Sequence, residues 1–371
     1  MATDPMQVRR RAWLLQLSLA AGGLSFSSQG WAGGAAGRLA LAWSEQGARP
    51  QSERSQWAGV WQLGGDGPKV LTRAALPSRA HGHWFEAGGT LLTVARRPGT
   101  WLGRWHPVTG EMLRLVWAEP GRQFNGHVSS APGGRALFST EQDQADGAGL
   151  VAVRDPGTLA LRAEWPTRGT DAHQLLWVGE KLFVANGGVP SWPETGRAKR
   201  ELPAMDSSLV MLDGRDGRVL GQWRLADTRL SLRHLAWHAR SGTLGIALQA
   251  EHDDPAERAR APLLALLDSQ GLRSVAPPAT TVGGWAGYAG DIEATAEGFR
   301  LSASRAGLVL DWSDREGWRV PTALPEACAL GGAWALGAER GWHDGGGGPD
   351  AGNMIGLPLG CRPDNHVLSL A

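Results

Sequence analysis

The stretch Asn125-Gly126-His127-Val128-Ser129-Ser130, with the turn Pro132 to Gly134 and the run Arg135-Ala136-Leu137-Phe138-Ser139-Thr140 behind it, decides how this chain is read. It spells a strand opened by Gly-His, a tight turn and a second strand. Three related units surround it. Gly82-His83 precedes Gly88-Gly89 and Thr90-Leu91-Leu92-Thr93-Val94. Ala172-His173 precedes Gly179-Glu180 and Lys181-Leu182-Phe183-Val184-Ala185, and Arg233-His234 precedes Ser241-Gly242 and Thr243-Leu244-Gly245-Ile246-Ala247. His83, His127, His173 and His234 are 44, 46 and 61 residues apart. A strand–turn–strand unit recurring at roughly 40–50 residues marks a repeat architecture.

Each unit continues in the same way. The His127 unit adds Gly149-Leu150-Val151-Ala152-Val153-Arg154, a turn at Asp155-Pro156-Gly157, and a run from Leu159 to Trp165. Four strands per unit result. Two further units lack the histidine. One starts at Tyr288-Ala289-Gly290-Asp291-Ile292; the other starts near Ala327-Cys328-Ala329-Leu330 and ends with His366-Val367-Leu368-Ser369-Leu370. With the N-terminal strands Arg38–Trp43 and Gly59–Leu63 counted as one unit, there are seven. The expected fold is all-β: a seven-bladed β-propeller of four-stranded blades, closed by pairing a C-terminal strand with the N-terminal blade.

Composition agrees with that architecture. The 371 residues include 53 Gly and 22 Pro, spread as many tight turns require, and 19 Trp against one Tyr and six Phe, which suits packing between sheets. The formal charge is only +1 and no basic stripe is present, which argues against nucleic acid as a partner. Two cysteines are too few for a disulfide framework; Cys328 and Cys361 are read as buried thiols, a soft ligand or one disulfide, with the choice left open.

The N-terminus reads as a targeting segment. Arg9-Arg10-Arg11-Ala12-Trp13-Leu14-Leu15 has the form of a twin-arginine export motif, Trp13 to Leu24 is too short to span a bilayer, and Gly30-Trp31-Ala32 offers a cleavage site. The expectation is a signal peptide at 1–32, a single propeller at 33–371 with an inserted loop at 189–206, and a periplasmic location. Residues 343–353 form a second, glycine-rich insertion.

In a propeller the starts of equivalent innermost strands converge on one end of the channel. His83, His127, His173 and His234 there would offer nitrogen ligands suited to copper, iron or zinc. His81 either joins them or lies on the entering loop. Glu141, Asp143 and Asn186 follow second strands and are candidate binding residues, as are Arg96 and Arg97 for an anionic ligand. The competing reading is structural, since a Gly-His before an innermost strand bonds within its own blade in WD-type propellers. No nucleophile elbow, phosphate loop, HExxH or CxxCH motif occurs.

Ala95-Arg96-Arg97-Pro98-Gly99, Gly121 to His127, Thr140-Glu141, His173-Gln174-Leu175-Leu176, Val184 to Gly188, Gly196-Arg197 and Arg233-His234-Leu235-Ala236 together resemble the exported propeller family known as domain of unknown function 1513. Departures include Ala172, where the family tends to carry proline, and Ser191-Trp192-Pro193, where it tends to carry Thr-His-Pro. The resemblance implies export and a neighbourhood of imelysin-like and di-haem periplasmic proteins, hence a link to iron or metal uptake. Three functions stand open: a metal-binding propeller, an interaction scaffold with structural histidines, and a lactonase- or oxidoreductase-like enzyme using Glu141, Asp143, Asp291 or Glu293.

Overall fold

The computed structural model describes residues 37–46, 54–64, 67–189, 191–192, 202–278, 281, 284–345 and 353–370. The expected signal peptide lies outside the described residues, as do 190 and 193–201 of the inserted loop and 346–352 of the glycine-rich one. No helix among the described residues is long and apolar enough to cross a membrane.

Seven antiparallel sheets follow one another as a seven-bladed propeller. Blade 2 runs outward through Ala80–Phe85, Leu91–Ala95, Trp101–Trp105 and Met112–Trp117. Blade 3 does the same from Arg122–Ser130 to Leu161–Thr170, blade 4 from Ala172–Val178 to Val219–Trp223, and blade 5 from Leu230–His238 to Gly271–Val275. Blade 6 starts at Asp291–Ala294, and its outer edge is split into Gly317–Trp318 and Thr322–Ala323, which both pair with Leu308–Ser313. Blade 7 starts at Ala329–Gly331.

Blade 1 closes the ring. Its order is Cys361–Leu370, Gly37–Glu45, Ser55–Leu63, Lys69–Ala75, so the C-terminal strand is the innermost strand of the N-terminal blade. This pairing leaves no open sheet edge at the join. It also revises one placement read from the sequence: the His366 strand does not end blade 7 but heads blade 1.

Second strands are buried on both faces, so they read as near-continuous apolar runs, such as Leu91–Ala95 and Thr243–Ala250, which are buried throughout. Outer strands are half-buried to exposed along their length, as in Met112–Trp117. Apolar clusters join each sheet to the next. Phe183, Leu209, Leu235 and Ile246 interdigitate between blades 4 and 5, and Trp43, Trp61, Trp334 and Leu336 do so between blades 1 and 7. Each such side chain removed from water stabilises the fold by about 1.5–3 kcal/mol. Trp43, Trp61, Trp101 and Trp105 are among the largest fully buried side chains, as the aromatic balance predicts. Cys328 and Cys361 are free thiols.

Candidate metal centre

Five inner strands carry a register irregularity, and each irregularity contains one histidine. In blade 2 the pairing jumps from Ala80↔Ala95 to His83↔Thr93, which leaves His81 and Gly82 opposite Val94 alone. In blade 3 it jumps from Phe124↔Glu141 to Val128↔Ser139, enclosing His127. His173 is the extra residue between Ala172↔Asn186 and Gln174↔Ala185, and His234 lies between Leu232↔Leu248 and Leu235↔Ile246. His366 lies between Pro363↔Trp43 and Val367↔Leu41. A bulge of this kind breaks the strict alternation of a strand and re-aims a side chain; here each one coincides with an imidazole at the channel.

The five rings meet. Their centroids are 4.5 Å apart for His234–His366, 4.6 Å for His81–His366, 4.8 Å for His173–His234 and 4.9 Å for His81–His127. One ligand nitrogen each from His81, His127, His234 and His366 lies within 4.8 Å of the other three. His173 joins this set through Nε2, 3.0 Å from His234 Nε2, and His366 Nε2 lies 3.1 Å from the same atom. Two glycines permit the approach. A Cβ on Gly82 would sit 2.4 Å from the Gly126 carbonyl oxygen, and one on Gly126, which has φ +107°, would sit 2.6 Å from His81 Cδ2.

Burial dominates the electrostatics. Desolvation pushes the pKa of His81, His127, His173 and His234 well below the ordinary histidine value, and mutual repulsion plus Arg96, Arg97 and Arg233 push the same way. These rings are therefore neutral, the form that ligates metals. Both nitrogens of His81, Nε2 of His127 and Nδ1 of His173 and His234 are buried without a hydrogen-bond partner.

The two blades without a histidine contribute differently. Asp291 of blade 6 places Oδ1 3.1 Å from His366 Nδ1, and its other oxygen accepts the Leu330 amide of blade 7 at 3.0 Å. A carboxylate behind an imidazole in this way fixes the ring's orientation and tautomer. Beside the rings, Arg97 and Arg233 both bond the fully buried Asp171, Arg233 Nη1 to Oδ2 at 2.6 Å. Arg96 pairs with Asp364 at 3.6 Å. A cavity of about 20 Å³ is lined by His81, His173 and His234 together with Arg96, Arg97 and Arg233.

Of the residues singled out in the sequence, His127, His173, His234, Arg96 and Arg97 come together here. His83 does not join the set: its Nδ1 pairs with Thr93 Oγ1 at 2.9 Å inside blade 2, and burial pushes its pKa down to about 3. Glu141 faces Arg154 (2.7 Å) and Ser139 (2.6 Å) within blade 3. Asp143 pairs with Arg122 at 2.7 Å, and Asn186 is held by Thr167 and Ser208. Glu293 accepts the Gly332 amide, with burial pushing its carboxyl up to about 8. No carboxylate completes the metal-ligand group found among the described residues. The sequence reading missed His366, Arg233, Asp171 and the second role of Asp291. One signal for His366 was present, because Asn365-His366-Val367 echoes Asn125-Gly126-His127-Val128.

A family profile described as "Protein of unknown function (DUF1513)" matches residues 74–354. The chain belongs to this family. A search of curated proteins returns no match. Among solved structures, the DUF1513 chain resembles a hypothetical selenium-binding protein from Sulfolobus tokodaii at 12% identity and TM-score 0.61, covering 90% of this chain and 91% of that one. It also resembles the hydrazine synthase of Kuenenia stuttgartiensis at 10% identity and TM-score 0.54, covering 81% and 92%. Likenesses this remote report a shared fold.

Proposed function

We propose that this DUF1513 propeller is an exported protein that binds one transition-metal ion, or a small metal complex, in the five-histidine cluster and serves metal uptake outside the cytoplasm. The observation that carries the reading is the convergence of three Nε2 atoms from blades 4, 5 and 1. His234 Nε2 lies 3.0 and 3.1 Å from two other Nε2 atoms, and one ring nitrogen makes only one well-aligned hydrogen bond. An ion accepts all three lone pairs at once. Imidazole ligands at about 2.0–2.1 Å from one ion lie roughly 2.9–4.2 Å from each other, so the cluster needs only slight contraction.

An all-imidazole set suits copper, iron or zinc and disfavours magnesium or calcium. His366, backed by Asp291, is already oriented for the role. Export through the twin-arginine route and a link to iron rest on Arg9-Arg10-Arg11 and on the family resemblance, which also makes imelysin-like and di-haem periplasmic proteins the partners to test first. The scaffold reading is favoured by one observation, the His83–Thr93 bond, and applies to that residue.

Elemental analysis of tag-free protein purified from the periplasm tests the proposal. About one equivalent of copper, iron or zinc is expected, lost in His127→Ala and His234→Ala variants that retain wild-type circular dichroism. Protein with no metal, and none taken up on titration, overturns it. Recovery of the chain only from the cytoplasm overturns the export part alone.

A further inference from the structure

The metal reading leaves one buried charge unexplained. Arg233 is 2% exposed and spends Nη1 on Asp171, while its Nε and Nη2 have no hydrogen-bond partner. Asp171 is also the partner of Arg97, so one carboxylate serves two guanidiniums. A buried cation with two idle donors is costly unless an anion completes it. The neighbouring imidazoles are neutral and supply no negative charge, and a bound dication would add to the positive field. Arg233 lines the same cavity as His81, His173 and His234.

We infer that this cavity holds a small anion that bridges Arg233 to the metal, so that the ligand of the site is an ion pair of metal and anion and not a bare cation. The inference rests on the metal reading above. A cavity of about 20 Å³ is on the scale of one or two waters, which points to a small anion such as formate or nitrite. The planar fork of a guanidinium matches two oxygens of such an anion. Gln249 and Tyr288 also line the cavity and give it further polar wall.

Copper(II)-loaded protein, its copper content fixed by elemental analysis, tests this with azide as probe. Azide should raise a charge-transfer absorption band, and formate should displace it. Arg233→Gln should keep the copper stoichiometry and weaken azide at least about tenfold, as loss of one partner of a buried charge pair does; Arg233→Lys should recover part of the loss. Equal azide affinity in wild type and Arg233→Gln overturns the inference while leaving the metal reading intact. So does a copper-loaded wild type that responds to neither azide nor formate, a result that does not depend on any variant folding. A wild type that takes up no copper, iron or zinc overturns the metal reading first and this inference with it.

Discussion

The inner strands of blades 6 and 7 pair with their neighbours in unbroken register, Asp291↔Ser302 to Ala294↔Phe299 and Ala329↔Leu336 to Gly331↔Trp334. The inner strands of blades 1 to 5 all break register, and every break holds a channel histidine. Repeated blades are thus not equivalent at the axis. An extra residue in a strand has a local cost, because it leaves backbone groups outside the ladder. Five blades carry that cost and gain a ring at the channel; the two regular blades supply instead the carboxylate and the amide that hold one of those rings in place.

Acid should expose this division most strongly. Burial keeps His81, His83, His127, His173 and His234 neutral in the folded state, whereas those of the unfolded chain protonate below about pH 6.5. The unfolded state then binds more protons, so stability is present above that pH and lost as pH falls, by about 1.4 kcal/mol per pH unit for each histidine. Thermal melts of the metal-free protein should show Tm dropping steeply between pH 6.5 and 5. A flat profile would mean that the rings are not held neutral by burial.

Away from the axis, Glu141→Ala should cost about 3–5 kcal/mol by stranding Arg154, which is 1% exposed. Its metal content should stay that of wild type, since this pair lies inside blade 3. Gly126→Ala should cost about 1–3 kcal/mol through its left-handed backbone and the crowding of His81, and should lower metal affinity as well, read by denaturant melts and titration. The narrowest effect belongs to Thr93→Val, which changes stability alone. It removes the partner of His83 and Trp105 for about 1–3 kcal/mol, with unchanged metal stoichiometry. If the metal is lost there, the boundary between bulge and ladder histidines is drawn in the wrong place.

Much of this was legible in the chain itself. The Gly-His or X-His opening, the Gly-rich turn and the following apolar run repeat closely enough to count blades, and period-two patterning places the strands. The site was legible only in part. His81 and His83 are separated by one residue, and simple alternation would put them on the same face. Only the bulge at His81-Gly82 sends one ring to the axis and the other to Thr93, and no local propensity announces a bulge. Asp171, Arg97 and Arg233 are brought together from blades 2 to 5, and an ion pair between residues 62 and 74 positions apart has no sequence period to reveal it.

The closing strand carries a consequence of its own. His366 sits in the segment that zips onto Gly37–Glu45 and belongs, with rings from blades 2, 3 and 5, to the group proposed to hold an ion. An ion there would act as a padlock on the ring's clasp. On that reading, peeling Cys361–Leu370 away from the loaded protein would first break a metal bond, so loading should slow hydrogen exchange most at Leu39, Leu41 and Val367, which are not among the proposed ligands.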